Sequence, residues 1–219
     1  MFSANAGLMP VQLRFHTGLT GADYVTRHGW ELASLPHCPE HGPKSDCHFH
    51  HHGTYDRKTP PGTKVARWYC PEAHRTWSLL PDHLAARFPG TLREIEEVVA
   101  CIEQATESLE KQAQQLCSLD VSLPCALRWV RRRLAPVRKL LTTVIGLLPQ
   151  LLLGCEPSIA ALRKRLGCEC VLVRLREVAE VHLATLAAPL GFRHPAYRGA
   201  DRKERYQQQM GPGPPLEPA

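Results

Sequence analysis

The sequence has few aromatic residues and no long hydrophobic run. Phe, Trp and Tyr make up 6% of its 219 residues, and Trp129 is the only Trp beyond the first 80 positions. The most apolar stretch, TTVIGLLPQLLLG at 142–154, is interrupted by Pro149 and Gln150. It is shorter than the roughly 20 residues that a membrane span needs. We therefore expect a buried helix rather than a transmembrane one at this stretch. The concentration of aromatic residues in the first third of the sequence favours a small β-rich module followed by a helical one.

The sequence also lacks the pattern of a secretory signal, a charged segment followed by an apolar one, at its start. We therefore expect a cytoplasmic protein without a membrane partner. In that compartment the nine cysteines are expected to be metal ligands or reduced thiols rather than disulfides.

Two close Cys/His pairs predict a metal site. Cys38 and His41 form a Cys-x-x-His pair in LPHCPEHGP, and Cys70 and His74 form a Cys-x-x-x-His pair in RWYCPEAHRTW. A structural zinc ion takes four such ligands, usually as two close pairs that the fold brings together. We therefore predict a structural Zn²⁺ bound by Cys38, His41, Cys70 and His74.

The segment between the two pairs predicts a β-hairpin. A strand from His52 leads to a turn at 60–62, and a second strand over 64–69 returns to Cys70. Two metal-binding turns joined by a hairpin are the plan of a zinc ribbon. The metal would supply folding free energy that so short an apolar hairpin lacks.

Other donors lie close to the first pair and leave the ligand set open. They are His37, Cys47, His48, His50, His51 and His52, of which Cys47 is the best substitute for a ligand. A catalytic zinc is disfavoured because four protein ligands leave no open position, and the sequence has no His-Glu-x-x-His motif.

The segment HHGTYDRKTPPGTKVARWYCPEAHRTWSLLPDHLAARFPGTLREIEEVV resembles a family of zinc-ribbon proteins associated with bacterial insertion sequences. The shared features are a His-Gly-x-Tyr-x-Arg strand, Arg-x-x-Cys after the hairpin, and Thr-Trp-Ser-Leu-Leu-Pro-Asp. Members of that family more often have Cys-x-x-Cys in both turns. The resemblance covers residues 35–100 and implies association with nucleic acid and with a transposase.

Helices are predicted after residue 90. Thr91 and Glu94 form a capping-box pattern ahead of an apolar stripe that extends to Ile102. A short helix near Ser108, a turn at 118–123 and a third helix over 124–135 follow in the order of a helix-turn-helix unit. We expect Pro136 to stop or kink the third helix.

Basic residues are concentrated on and just after this third helix. On its opposite side Ala126, Trp129, Val130 and Leu134 have core spacing. Such a basic face attracts phosphates, because neutralising them releases counterions. The predicted DNA-binding residues are Arg128, Arg131, Arg132, Arg133, Arg138 and Lys139.

Later helices are predicted over 137–148, 157–166 and 171–187. Cys155, Cys168 and Cys170 lack a convincing partner pair and are interpreted as reduced thiols. The predicted organisation is therefore an α+β protein with an N-terminal extension (1–30), a zinc ribbon (31–88), a helix-turn-helix-like region (89–148), C-terminal helices (149–192) and a disordered tail (193–219).

From these features we predict a DNA-binding accessory or regulatory protein of a transposable element. One alternative is a protein-interaction module that docks a partner through the acidic helix at 92–110. The other is a transposase enzyme. Strand transfer needs acidic residues that hold two cations, typically on a sheet core. The acidic residues here cluster on helices, so we expect no enzymatic activity.

Overall fold

The computed structural model describes residues 12–44, 46–115 and 122–193. It confirms a mixed α+β fold, in which a four-stranded sheet is followed by a helical region. The strands are β1 (Gln12–Phe15), β2 (His50–Asp56), β3 (Lys64–Cys70) and β4 (Arg75–Pro81).

The strand order in the sheet is β1-β4-β3-β2. β2 and β3 form the antiparallel hairpin expected on either side of the turn at 60–62, with Tyr55 opposite Val65. β4 returns antiparallel to β3, with Trp77 opposite Trp68. β1 lies in the segment predicted as an N-terminal extension, and it pairs with β4 in parallel.

Two short helical segments join β1 to the metal-binding region. They are α1 (Gly21–Thr26), which Thr20 caps, and a 3₁₀ turn (Gly29–Leu32). After the sheet, α2 begins at the predicted capping box, in which the Thr91 hydroxyl accepts from Glu94 N and the Glu94 carboxylate accepts from Thr91 N. The helices of this region are α2 (Leu92–Gln104), α3 (Leu109–Gln115), α4 (Leu123–Leu147), α5 (Pro149–Leu152), α6 (Ile159–Leu166) and α7 (Val171–Val178).

The predicted stop at Pro136 is wrong. α4 continues through Pro136, and the helix expected over 137–148 is its second half. A proline inside a helix removes one hydrogen bond and costs about 3 kcal/mol. The buried residues Val130, Leu134, Val137 and Leu141 lie on one stripe across Pro136. Burial of this continuous apolar stripe offsets the cost of the proline.

The helix predicted over 171–187 is shorter than expected. α7 ends at Val178, and a 3₁₀ turn (Glu180–His182) follows it. The chain then folds back so that Phe192 N donates to Leu183 O at 2.7 Å, and both side chains are buried. A straight helix would have carried these apolar side chains away from the core.

The sheet and the helices share one core. Val65 and Leu80 on one face of the sheet belong to the same buried cluster as Ile95, Leu141 and Leu172 of the helices. The opposite face carries Trp68, Trp77 and Leu79 and forms smaller clusters with the chain before β2. This second face holds the candidate metal centre.

Parts of four predicted segments lie outside the described residues. They are positions 1–11 of the N-terminal extension, position 45 of the zinc ribbon, positions 118–121 of the turn before α4 and positions 194–219 of the tail.

Candidate functional site

Four side chains from three parts of the chain converge at one end of the sheet. The ligand atoms of Cys38, His41, Cys47 and Cys70 all lie within 4.8 Å of one another. The Nδ1 atom of His41 is 3.5 Å from the sulfurs of both Cys38 and Cys70. Three thiols and one imidazole at this spacing could hold a metal ion.

A tight turn places the first pair of donors. Gly42 N donates to Cys38 O at 2.8 Å, and the two residues form an isolated antiparallel bridge. Gly42 has a φ of 75°, a left-handed conformation that glycine adopts at little cost. The turn thereby directs Cys38 and His41 to the same side, towards Cys70 at the end of β3.

The segment that carries Cys47 is held in place by the carboxylate of Glu72, which lies two residues after Cys70. Cys47 immediately precedes His48, whose backbone N and ring Nδ1 lie 3.0 and 2.7 Å from Glu72 Oε1. The other oxygen, Oε2, accepts from the Cys70 thiol at 3.4 Å. Glu72 therefore connects the segment that carries Cys47 to the end of β3. The hydrogen bond from the His48 ring is the main reason that the pKa of Glu72 falls to about 2.

Aromatic rings cover the cluster. Phe49 stacks on Trp68 with ring centroids 5.3 Å apart, and it contacts Trp77 edge-on at 5.9 Å. Cys38 and Cys70 are 1% and 0% exposed. These two thiols are thus screened from water, which strengthens their interaction with a cation, whereas His41 is exposed and Cys47 is half-buried.

The same burial disfavours an ionised thiol when no cation is bound. Burial raises the pKa of Cys70 to about 11, although the Ala73 N–H, 3.5 Å from the sulfur, acts in the opposite direction. A bound metal ion reverses this preference because it stabilises the thiolate directly. The chemistry of these donors is therefore that of ligands rather than of exposed nucleophiles.

Three of the four predicted ligands lie in the cluster, and the fourth position is held by Cys47. His74 is exposed in the turn after Cys70, with a φ of 48°, and is not part of the group. The remaining donors near the first pair lie elsewhere. His37 is exposed, His48 binds Glu72, His51 packs against Trp68, and His50 and His52 pack against Tyr69.

The predicted DNA-binding residues lie on α4, and most of their side chains are exposed to solvent. Arg128, Arg131, Arg132, Arg138 and Lys139 are exposed, whereas Arg133 is half-buried. Arg131 lies 3.7 Å from Glu110 in an exposed ion pair. In the described part of the chain this is the one ion pair that these six residues form.

Trp129 is not a core residue, contrary to the prediction. Its side chain is 40% exposed, and the Arg133 guanidinium lies 3.7 Å from the ring centroid. Trp129 is beside the buried stripe of α4 rather than on it. A cation over the indole face stabilises this partly exposed position.

Cys155, Cys168 and Cys170 are half-buried, and no second Cys/His cluster occurs in the residues that the structure describes. Cys170 donates to Glu96 Oε2 at 3.2 Å, and burial raises its pKa to about 12. Among the described helices, none is both long enough and apolar enough to cross a membrane.

Comparison with protein-family models, with curated proteins and with solved structures finds no match for this chain.

Proposed function

We propose that this chain is a zinc-binding, DNA-binding accessory or regulatory protein of a transposable element. The observation that carries the proposal is the basic face of α4, which is exposed and nearly free of ion pairs within the described residues. The resemblance to zinc-ribbon proteins of insertion sequences supports the link to transposition.

The spacing of the cluster supports zinc as its metal. In a tetrahedral site with Zn–S of about 2.3 Å and Zn–N of about 2.0 Å, sulfur and nitrogen are about 3.5 Å apart. His41 Nδ1 lies at this distance from two of the sulfurs. Cys₃His is also a common ligand set of structural zinc sites.

The proposed zinc has a structural role. Four protein donors fill a tetrahedral shell and leave no position for water or substrate. The ion would tie the turn at Cys38 and the segment at Cys47 to the end of β3, as in a zinc ribbon. The proposal includes no catalytic step.

The basic face is suited to a phosphate backbone. At 100° per residue, Arg128, Arg131, Arg132, Arg138 and Lys139 fall within an arc of about 120°, opposite the buried stripe. Residues 128 and 139 are separated by about 17 Å along the helix axis. This length corresponds to about five phosphates of one DNA strand.

The arrangement of α2, α3 and α4 supports a helix-turn-helix-like docking mode. Both shorter helices pack against α4. In such a unit the last helix enters the major groove. α4 would take this role, with its basic face towards the DNA.

Binding of a nonspecific DNA duplex at several salt concentrations tests the proposal. We expect the logarithm of the binding constant to fall linearly with the logarithm of salt concentration, and Lys139→Ala to reduce the slope by about one. Lys164→Ala is the matched control, because Lys164 is also an exposed lysine but lies on α6. No binding at low salt, or equal effects of the two variants, would contradict DNA binding by α4.

A protein-interaction module is the second candidate function, and one observation favours it. A groove of about 1030 Å³ is lined partly by Arg128, Arg131 and Arg132 of the basic face. Phe88, Leu123 and Leu127 contribute apolar surface to it. Phosphates do not require such a surface, whereas a partner helix does. Absence of salt-dependent DNA binding would favour this alternative.

A further inference from the structure

Three consecutive histidines at the start of the hairpin do not belong to the Cys₃His cluster. His50, His51 and His52 begin β2, and all three side chains are exposed. Side chains alternate between the two faces of a strand. His50 and His52 accordingly contact Tyr69, with ring centroids 5.9 and 5.3 Å away, while His51 contacts Trp68 on the other face.

We propose that His50 and His52 form a second metal site, which binds a divalent late transition ion such as Ni²⁺, Cu²⁺ or Zn²⁺. Imidazole is a preferred ligand of all three ions. The proposal does not depend on zinc in the Cys₃His cluster, because the two groups share no residue.

The two rings are close enough to share an ion after a small rotation. Their centroids are 6.3 Å apart. With metal–nitrogen bonds of about 2.0–2.1 Å, two neighbouring imidazoles on one ion need centroids about 1 Å closer than this at a tetrahedral angle and about 2 Å closer at a right angle. The His52 side chain is exposed, so the approach can come from rotation about its side-chain bonds.

A hydrogen bond prepares His50 as a ligand. Its Nδ1 lies 2.7 Å from the carbonyl oxygen of His48. A carbonyl can only accept, so Nδ1 carries the proton and the lone pair of Nε2 is available for a metal. Metal-binding histidines commonly donate their second ring nitrogen to a carbonyl in this way.

The pair provides only two protein ligands, and water would complete the coordination. Apart from His51, which contacts Trp68 on the other face, the nearest histidine in the sequence is His48, and its ring is already bound to Glu72. We therefore expect an exchangeable ion that binds more weakly than an ion in the buried cluster.

Calorimetric titration of the full, untagged chain with Ni²⁺ tests the site, after incubation with one equivalent of zinc, which fills the tighter cluster, and removal of free zinc. We expect one Ni²⁺ per chain, with at least tenfold weaker binding in His50→Ala and in His52→Ala. His51→Ala is the matched control and should change the affinity less than twofold. The zinc content should stay the same in all three variants.

The proposal is overturned if the wild type binds no Ni²⁺, or if His51→Ala weakens binding as much as the other two changes. Since the three histidines are adjacent and exposed, a general effect on folding would appear equally in all three variants. A wild type without zinc that still binds Ni²⁺ through His50 and His52 would contradict the proposed function but support this site.

Discussion

The imidazole of His83 is largely enclosed and has no hydrogen-bond partner for either ring nitrogen among the described residues. It packs edge-on against Tyr24 with ring centroids 5.3 Å apart. Burial lowers the pKa of His83 to about 4, and the positive charge of Arg176 acts in the same direction. In the unfolded chain a histidine has a pKa of about 6.5. His83 is therefore a neutral histidine in the folded protein near neutral pH.

This difference in pKa makes folding stability depend on pH. Below pH 6.5 the unfolded chain takes up a proton that the folded protein does not take up until pH 4. The contribution of neutral His83 is thus present above pH 6.5 and is lost as the pH falls to 4. Between pH 6.5 and pH 4 the free energy of unfolding of the wild type should fall by up to roughly 3 kcal/mol more than that of His83→Leu. Urea denaturation at several pH values measures this difference.

The exposed His28 provides the control for this measurement, since His83→Leu should change the pH dependence of unfolding more than His28→Leu does. Release of metal by acid is common to all three proteins and does not affect the comparison. An unchanged pH dependence in His83→Leu would show that His83 is not protected from protonation in the folded state.

The spacing of Cys and His residues along the chain predicts only part of the metal-ligand set. Cys38, His41 and Cys70 are brought together as the paired spacing predicts, but Cys47 lies with them and His74 does not. The reason is a contact between distant residues, the hydrogen bonds from His48 to Glu72, which fix the segment next to Cys47. Spacing along the chain does not contain this information.

Among the helices, α2 has the best-defined start. The hydroxyl of Thr91 accepts from Glu94 N at 3.1 Å, and its loss leaves a helix N–H without its cap. We expect Thr91→Ala to lower the free energy of unfolding by about 1 kcal/mol, measured by urea denaturation.

Thr143→Ala is the matched control for this cap. The Thr143 hydroxyl is exposed inside α4 and donates to the carbonyl of Lys139 at 2.8 Å. Replacing such a residue by alanine should change stability by less than about 0.5 kcal/mol. Equal effects of the two changes would contradict a stabilising role of the capping box.

Element boundaries were predictable where the signal is local. The capping box of α2 and the end of α6 at Leu166 both lie where the sequence predicts them. The continuation of α4 through Pro136 was not predictable from a local signal, since it depends on burial of the residues on both sides of the proline. Trp129 lies beside the buried stripe rather than on it, and this position also depends on which residues of α4 are buried.

At the scale of the whole molecule, Arg176 joins the helices to the sheet. Its side chain is fully buried, and burial lowers its pKa to about 9. It remains a cation at neutral pH, and its hydrogen-bond partners among the described residues are backbone carbonyls that accept from its guanidinium. These are the carbonyls of Pro81, Asp82, Leu84, Pro189 and Leu190.

These long-range features were not predictable from sequence patterns. The four residues of β1 are too few for a periodic signal, and their partners in β4 lie about 66 positions later, as in the Gln12–Ser78 pair. The carbonyls that accept from Arg176 are likewise remote in the chain. The sequence predicted the α+β class and the hairpin, but not how the two regions are joined.

The central claim is that Cys38, His41, Cys47 and Cys70 hold a structural zinc ion. The most direct test is elemental analysis of the untagged full chain, with Cys47→Ser and His74→Ala beside the wild type. We predict one zinc per chain in the wild type and in His74→Ala, and a loss of zinc in Cys47→Ser. A wild type without zinc, or zinc that is kept by Cys47→Ser and lost by His74→Ala, would contradict the claim.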